Sequence, residues 1–119
     1  MRNLVIKCTA GATEPERVNQ AFTVAAAGVA AGASVSLWLT GEAAWFGVPG
    51  HAEAVDLPLA SPLSELRDLV LASGTLTVCT QCAARRSIDA GDVIPGVRIA
   101  GAAVFVEEAL AVQAQALVY

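Results

Sequence analysis

Short apolar runs alternate with stretches of helical periodicity along the chain. Leu4-Val5-Ile6 through Cys8 has the brief, β-branched character of a buried strand. After a loop of Thr9, Ala10, Gly11 and Ala12, the run Thr13-Glu14-Pro15-Glu16 reads as a helix start. Thr13 is the expected N-cap, Glu16 holds the capping-box position, and Pro15 sits in the first turn. Val18, Ala21, Phe22, Ala25 and Val29 then line one helical face, and Gly32 stops it. Val35, Leu37 and Leu39 alternate as a second strand ending at Thr40-Gly41. A short amphipathic piece carrying Trp45 and Phe46 leads into the loop Val48-Pro49-Gly50-His51.

Ser61-Pro62 starts another helix, with Leu63, Leu66, Leu69 and Val70 as its apolar face and Gly74 as its stop. Thr75 to Thr80 is a third strand, Gln81 to Arg86 a short helix, and Val97 to Ala100 a fourth strand. A helix over Ala102 to Val112 and a strand at Leu117-Val118-Tyr119 complete the pattern. Strands alternating with helices predict a three-layer α/β/α fold with a mostly parallel five-stranded sheet. Ligands and chemistry in such sheets gather beyond the carboxyl ends of the strands, which directs attention to Cys8, Thr40 and Cys79.

Composition narrows the function classes. The 119 residues suit one domain spanning 1–119, and a chain 55% hydrophobic and 15% charged is not disordered. Aromatics are only 5%, so small side chains must fill the core. A net charge of -4 with seven Lys and Arg argues against nucleic acid and against an anionic membrane surface. The uncharged stretch between Arg17 and Glu42 is long enough to span a bilayer. It is mostly Ala, however, holds Thr23, Gly28, Gly32, Ser34, Ser36 and Thr40, and changes period midway, so it reads as helix, turn and strand. Met1-Arg2-Asn3 runs directly into a strand, with no signal peptide expected ahead of it. Three cysteines without a disulfide spacing point to the cytoplasm.

The candidate chemistry lies in Val78-Cys79-Thr80-Gln81-Cys82-Ala83-Ala84-Arg85-Arg86. Cys79 leaves a buried strand where a helix begins, with Thr80 as the expected N-cap, so free backbone N–H groups there favour a thiolate. Arg85 or Arg86 is placed to fold back toward that thiolate or toward an anionic ligand. Cys82, three residues on, is placed to resolve a disulfide. A thioredoxin-like reading is disfavoured, because such motifs sit early in their fold and Pro95 follows too soon to act as the facing cis-proline.

Zinc on Cys8, Cys79, Cys82 and His51 lacks a second closely spaced pair, so no metal is expected. Cys8 reads as a strand-end packing residue that joins the site only if its strand neighbours that of Cys79. With a single imidazole, His51, a Cys-His-Asp hydrolase is hard to build. Glu14 and Glu16 read as helix-start carboxylates and Glu107-Glu108 as a solvated helix face. Gly11 and Thr13, in a loop without a phosphate-binding fingerprint, remain candidates for a small anion. Trp45 and Phe46 either lid the core or face another subunit.

Taken in order, these residues resemble the DsrE/DsrF-like family, which includes sulfur-relay subunits of the TusD type. The resemblance rests on Gly11-Ala12-Thr13-Glu14-Pro15-Glu16-Arg17 with Ala21-Phe22, on Cys79 followed by Arg85 and Arg86, and on Val97-Arg98-Ile99-Ala100-Gly101. It implies a flavodoxin-like three-layer fold assembled as a homo-oligomer, a trimer or hexamer, with the cysteine near a subunit boundary. It also implies that Cys79 takes up sulfane sulfur as a persulfide from a donor protein and passes it to an acceptor protein, with no cofactor. Cys82 departs from single-cysteine carriers and resembles members with Cys-x-x-Cys at this point. Two alternatives stay open: a thiol-disulfide or peroxide-reactive redox protein using Cys79 and Cys82, and a non-catalytic oligomeric module that binds a small ligand.

Overall fold

The structure, a computed structural model, describes residues 2–119; Met1, which belongs to the opening run discussed above, lies outside the described residues. In chain order the elements are β1 (Asn3–Cys8), α1 (Pro15–Ala30), β2 (Ser34–Leu39), a 3-10 segment (Gly41–Gly47), α2 (Leu63–Ser73), β3 (Thr75–Cys79), α3 (Thr80–Arg85), β4 (Arg98–Ala100), α4 (Ala102–Ala109) and β5 (Ala114–Val118). The five strands form one sheet in the order β4-β3-β2-β1-β5, with every pair parallel. The expected α/β architecture is therefore present, although the order differs from the 2-1-3-4-5 of flavodoxin itself.

Crossover handedness distributes the helices. Parallel strands are joined by right-handed crossovers, so connections that step in the same direction put their helices on the same face. The steps β1 to β2 and β2 to β3 run one way, and α1 and α2 pack together on one face. From β4 the chain returns across the whole sheet to β5, and α4 accordingly covers the opposite face.

The two faces differ in chemistry. Toward α1 and α2 point Ile6, Cys8, Val35, Leu37, Leu39, Leu76 and Val78, packed with Val18, Ala21, Phe22, Ala25 and Val70 in one buried cluster. Ala21 and Ala25 are fully buried, which lets α1 lie close on the sheet, as a core short of aromatics requires. Toward α4 point Lys7, Ser36, Trp38 and Thr77, with Arg98 from the β4 edge, and α4 itself buries none of its residues fully. That helix is held by side-chain bonds instead. Glu108 Oε1 accepts from Ser36 Oγ at 2.6 Å and from Trp38 Nε1 at 2.9 Å. Arg98 donates to Glu108 Oε2 at 2.7 Å and to Thr77 Oγ1 at 2.8 Å. Phe105 meets Trp38 edge to face at 5.4 Å.

Several local expectations change. Glu14, not Thr13, is the N-cap of α1, because a residue preceding proline is pushed out of the helical region and Pro15 can only open the helix. Cys79 rather than Thr80 is the N-cap of α3. In α2, Leu69 is exposed and Arg67 is buried, its guanidinium held by Glu53 through two 2.8 Å bonds. The same contact brings the Glu53 carboxyl down to about 2. Phe46 lies in the core, edge to face with Phe22 at 5.9 Å, while Trp45 stacks on His51 at 5.0 Å, so the pair works as a core lid. Glu108 is no solvated face residue, since three donors claim it. Finally, α4 stops at Ala109, three residues short of the expected Val112, and β5 begins earlier, at Ala114.

Candidate functional site

Cys79 is the last residue of β3 and caps α3 in an extended conformation, φ -63° and ψ 130°. Thr77 and Cys79 share the sheet face that α4 covers, because strand side chains alternate and Thr77 contacts Arg98 there. Cys82 follows one turn later, inside α3. Burial pushes the Cys79 thiol up, but hydrogen bonding from the Cys82 backbone and side chain and the Gln81 backbone, with the charge of Lys7, outweighs it, and its pKa lies below the ordinary 9.0. A half-buried thiol so held is a nucleophile, because the thiolate is the reactive form.

Cys82 is anchored in turn. Its sulfur accepts the N–H of Gly41 at 3.1 Å, from the turn that follows β2. That turn is kept against the sheet by small residues. A Cβ on Gly47 would overlap Val78, so glycine is what allows the 3-10 segment to press on β3 beside the site. The two sulfurs thus sit at the carboxyl ends of the central strands, where the strand-end rule directs attention.

The chain matches the DsrE/DsrF-like family over residues 2–116. It belongs to that family. No curated protein matches it. Among solved structures, it is similar to the crystal structure of the YchN protein from E. coli, at 18% identity with 100% of both chains covered and a TM-score of 0.83. At that identity the likeness speaks for the fold, a DsrE-type arrangement of this sheet and its helices, and for nothing finer.

Within this DsrE-type fold the remaining predicted residues fall into separate places. Cys8 ends β1 on the α1 face, its thiol donating to the Ala10 carbonyl at 3.7 Å, and burial raises its pKa to about 11. Because β2 lies between β1 and β3 and the two side chains face opposite ways, Cys8 does not join Cys79. The four-ligand zinc set is therefore not assembled. Arg86 donates to Glu42 Oε2 at 2.7 Å and to the Cys82 carbonyl at 3.1 Å, which ties the end of α3 to the 3-10 segment. Arg85 is exposed, and among the described residues neither arginine contacts the Cys79 sulfur. At the start of α1, a Cβ on Gly11 would sit 2.5 Å from Glu42 Cβ. Gly11 is thus the small residue that lets this loop pack on an acidic neighbour, while Thr13 is exposed.

Lys7 and the Gly41 N–H are the site neighbours that sequence reasoning did not single out. For Lys7 a signal exists: it is the one lysine of the chain, placed inside the apolar strand Leu4-Val5-Ile6-Lys7-Cys8. For Gly41 there is none, because its contact with the Cys82 sulfur spans 41 positions and uses only the backbone N–H of Gly41.

Proposed function

We propose that this protein is a sulfur carrier that accepts sulfane sulfur on Cys79 and delivers it to an acceptor, as its DsrE/DsrF-like membership suggests. The observation that carries the reading is the place of Cys79, which ends β3, caps α3 and stands three residues before Cys82, whose sulfur is anchored by the Gly41 N–H. The Cys79 thiolate attacks the outer sulfur of a donor persulfide. A new S–S bond forms on Cys79, the donor's S–S bond breaks, and the donor leaves as a thiolate that takes up a proton. The outer sulfur then passes to the thiolate of an acceptor protein by the same exchange, regenerating Cys79. Donor and acceptor proteins are the partners this chemistry needs, the cytoplasm is the compartment that keeps these thiols reduced, and no cofactor takes part.

A homo-oligomer, a trimer or hexamer, belongs to the same reading. It is supported by the apolar side chains that α4 and β5 leave exposed, Val106, Leu110, Val112, Leu117 and Val118, along an edge strand whose outer side has no strand neighbour among the described residues. A second reading, thiol-disulfide exchange, is favoured by the place of Cys82 in the first turn of the helix that Cys79 caps. There Cys82 would attack Cys79, closing a disulfide and expelling whatever Cys79 carries.

Intact-mass spectrometry of the reduced protein after exposure to a sulfane-sulfur donor tests both readings. Gain of one sulfur, lost in Cys79→Ser and kept in Cys82→Ser, is the expected result. Loss of two hydrogens, abolished by either substitution, would instead assign redox chemistry. Full loading of Cys79→Ser would sink the carrier role.

A further inference from the structure

The chain's one lysine stands on the sheet face that carries Cys79. Lys7 of β1 is in register with Trp38 of β2, and Trp38 with Thr77 of β3, which puts all three side chains on the face under α4, two positions before Cys79. Its ammonium lies 4.4 Å from the centroid of the Phe105 ring. Phe105 is one helical turn from Gly101, the N-cap of α4, and a Cβ on Gly101 would stand 3.9 Å from the Thr80 hydroxyl, next door to Cys79. Strands two apart in a sheet are separated by roughly 10 Å, a span that a four-carbon lysine stem closes to within electrostatic range.

Among the described residues Arg98 is held by Glu108, Arg86 by Glu42, Arg67 by Glu53 and Asp68, and Arg17 by Glu14. That leaves Lys7, Arg2 and Arg85 as the cations without an ion pair; Arg2 and Arg85 are exposed, and Lys7 is the one in register on the sheet face of Cys79. Among the described residues no Asp or Glu carboxylate pairs with Lys7, whose ammonium has an aromatic ring in place of an anion. An anion on the same sheet face would be attracted to this unpaired charge. The other charged and titratable groups around Cys79 and Lys7 are Cys82 and the exposed Arg85 on α3, the paired Glu42 and Arg86, the paired Arg98 and Glu108, and Tyr119, whose N–H donates to the Lys7 carbonyl.

We infer that Lys7 is a positioning residue of the Cys79 site, its ammonium supplying an unpaired positive charge that favours the anionic form of the Cys79 sulfur. The inference rests on Cys79 being the reactive centre proposed above. The Coulombic pull of Lys7 on the Cys79 thiol agrees with it.

The test is the pH profile of Cys79 alkylation by iodoacetamide, followed at the level of the Cys79 peptide by mass spectrometry, with no sulfur donor present. Lys7→Met should move the midpoint up and slow the reaction near neutral pH, while Lys7→Arg restores the profile. An unchanged midpoint in folded Lys7→Met overturns the inference. Should that variant fail to fold, the wild-type protein serves, because Lys7 is the only lysine. Acetylation of Lys7 removes its charge and should raise the midpoint, whereas reductive dimethylation keeps the charge and should not. Equal profiles for the two modified proteins overturn the inference as well. Sulfur loading is not measured in any of these arms, so failure of the carrier reading and failure of the Lys7 role are separately visible.

Discussion

Cys8 ends β1 on the core face, where it is inaccessible and burial holds its thiol up at about 11. Cys79 ends β3 on the opposite face, where backbone N–H groups, the Cys82 thiol and Lys7 bring its pKa below the ordinary value. One residue type at two strand ends thus has its pKa moved in opposite directions by the surroundings on the two faces of the sheet. Alkylation reads this out. In the folded protein near pH 8, iodoacetamide should label Cys79 and leave Cys8 untouched, and denaturant should release Cys8 to react. Rapid native labelling of all three cysteines would contradict the burial of Cys8. The strand-end position of Cys79 and its proximity to Cys82 were legible in the local pattern. The face on which each cysteine lies was not, because parity acquires meaning only when the sheet has helices of known placement on either side.

At the scale of elements, α4 depends on a single carboxylate more than on apolar burial. Glu108 accepts from Ser36, Trp38 and Arg98, and Trp38 is itself almost fully buried. Burial raises the Glu108 pKa, but the bonds from Ser36, Trp38 and Arg98 outweigh it, leaving it below its ordinary 4.5. A carboxyl whose pKa is lowered by folding adds stability above the unfolded value and loses it as pH falls through the folded one. Glu108→Ala should therefore cost about 2–3 kcal/mol at neutral pH, since it strands the Trp38 N–H and the Arg98 guanidinium, and much less once pH drops well below 4.5. Urea melts at neutral and acidic pH compare the two. An equal loss at both would show that the charge is not what matters. The pattern Val104-Phe105-Val106-Glu107-Glu108 marked a helix but gave Glu108 a solvent role, because its three partners come from strands 10 to 72 positions away.

For the whole molecule, the sheet is finished on one face and open along one edge. The α1–α2 side holds a continuous buried cluster, whereas Leu110, Val112 and Val118 stand 80%, 86% and 65% exposed beside the unpaired edge of β5. Light scattering should give a mass three or six times that of the 12.1 kDa chain. Paired substitution of Leu110→Glu and Val118→Asp should reduce that mass to one chain while leaving the circular dichroism intact. A monomeric wild type would remove the oligomer from the proposal. Among the described residues no helix is long and apolar enough to cross a membrane, and the uncharged stretch between Arg17 and Glu42 is divided between α1 and β2.

The sequence by itself determined the alternation of strands and helices, the apolar face of α1, the strand-end position of Cys79 and the closeness of Cys82. All of these are written in contacts within about one or two helical turns, which periodicity, caps and breakers report directly. Only the tertiary structure decided the strand order. That order separates Cys8 from Cys79, brings Lys7 onto the reactive face and sends Arg86 to Glu42. It arises because the last crossover must return across the sheet to the free side of β1, a choice made by long-range packing and handedness rather than by any local run of residues.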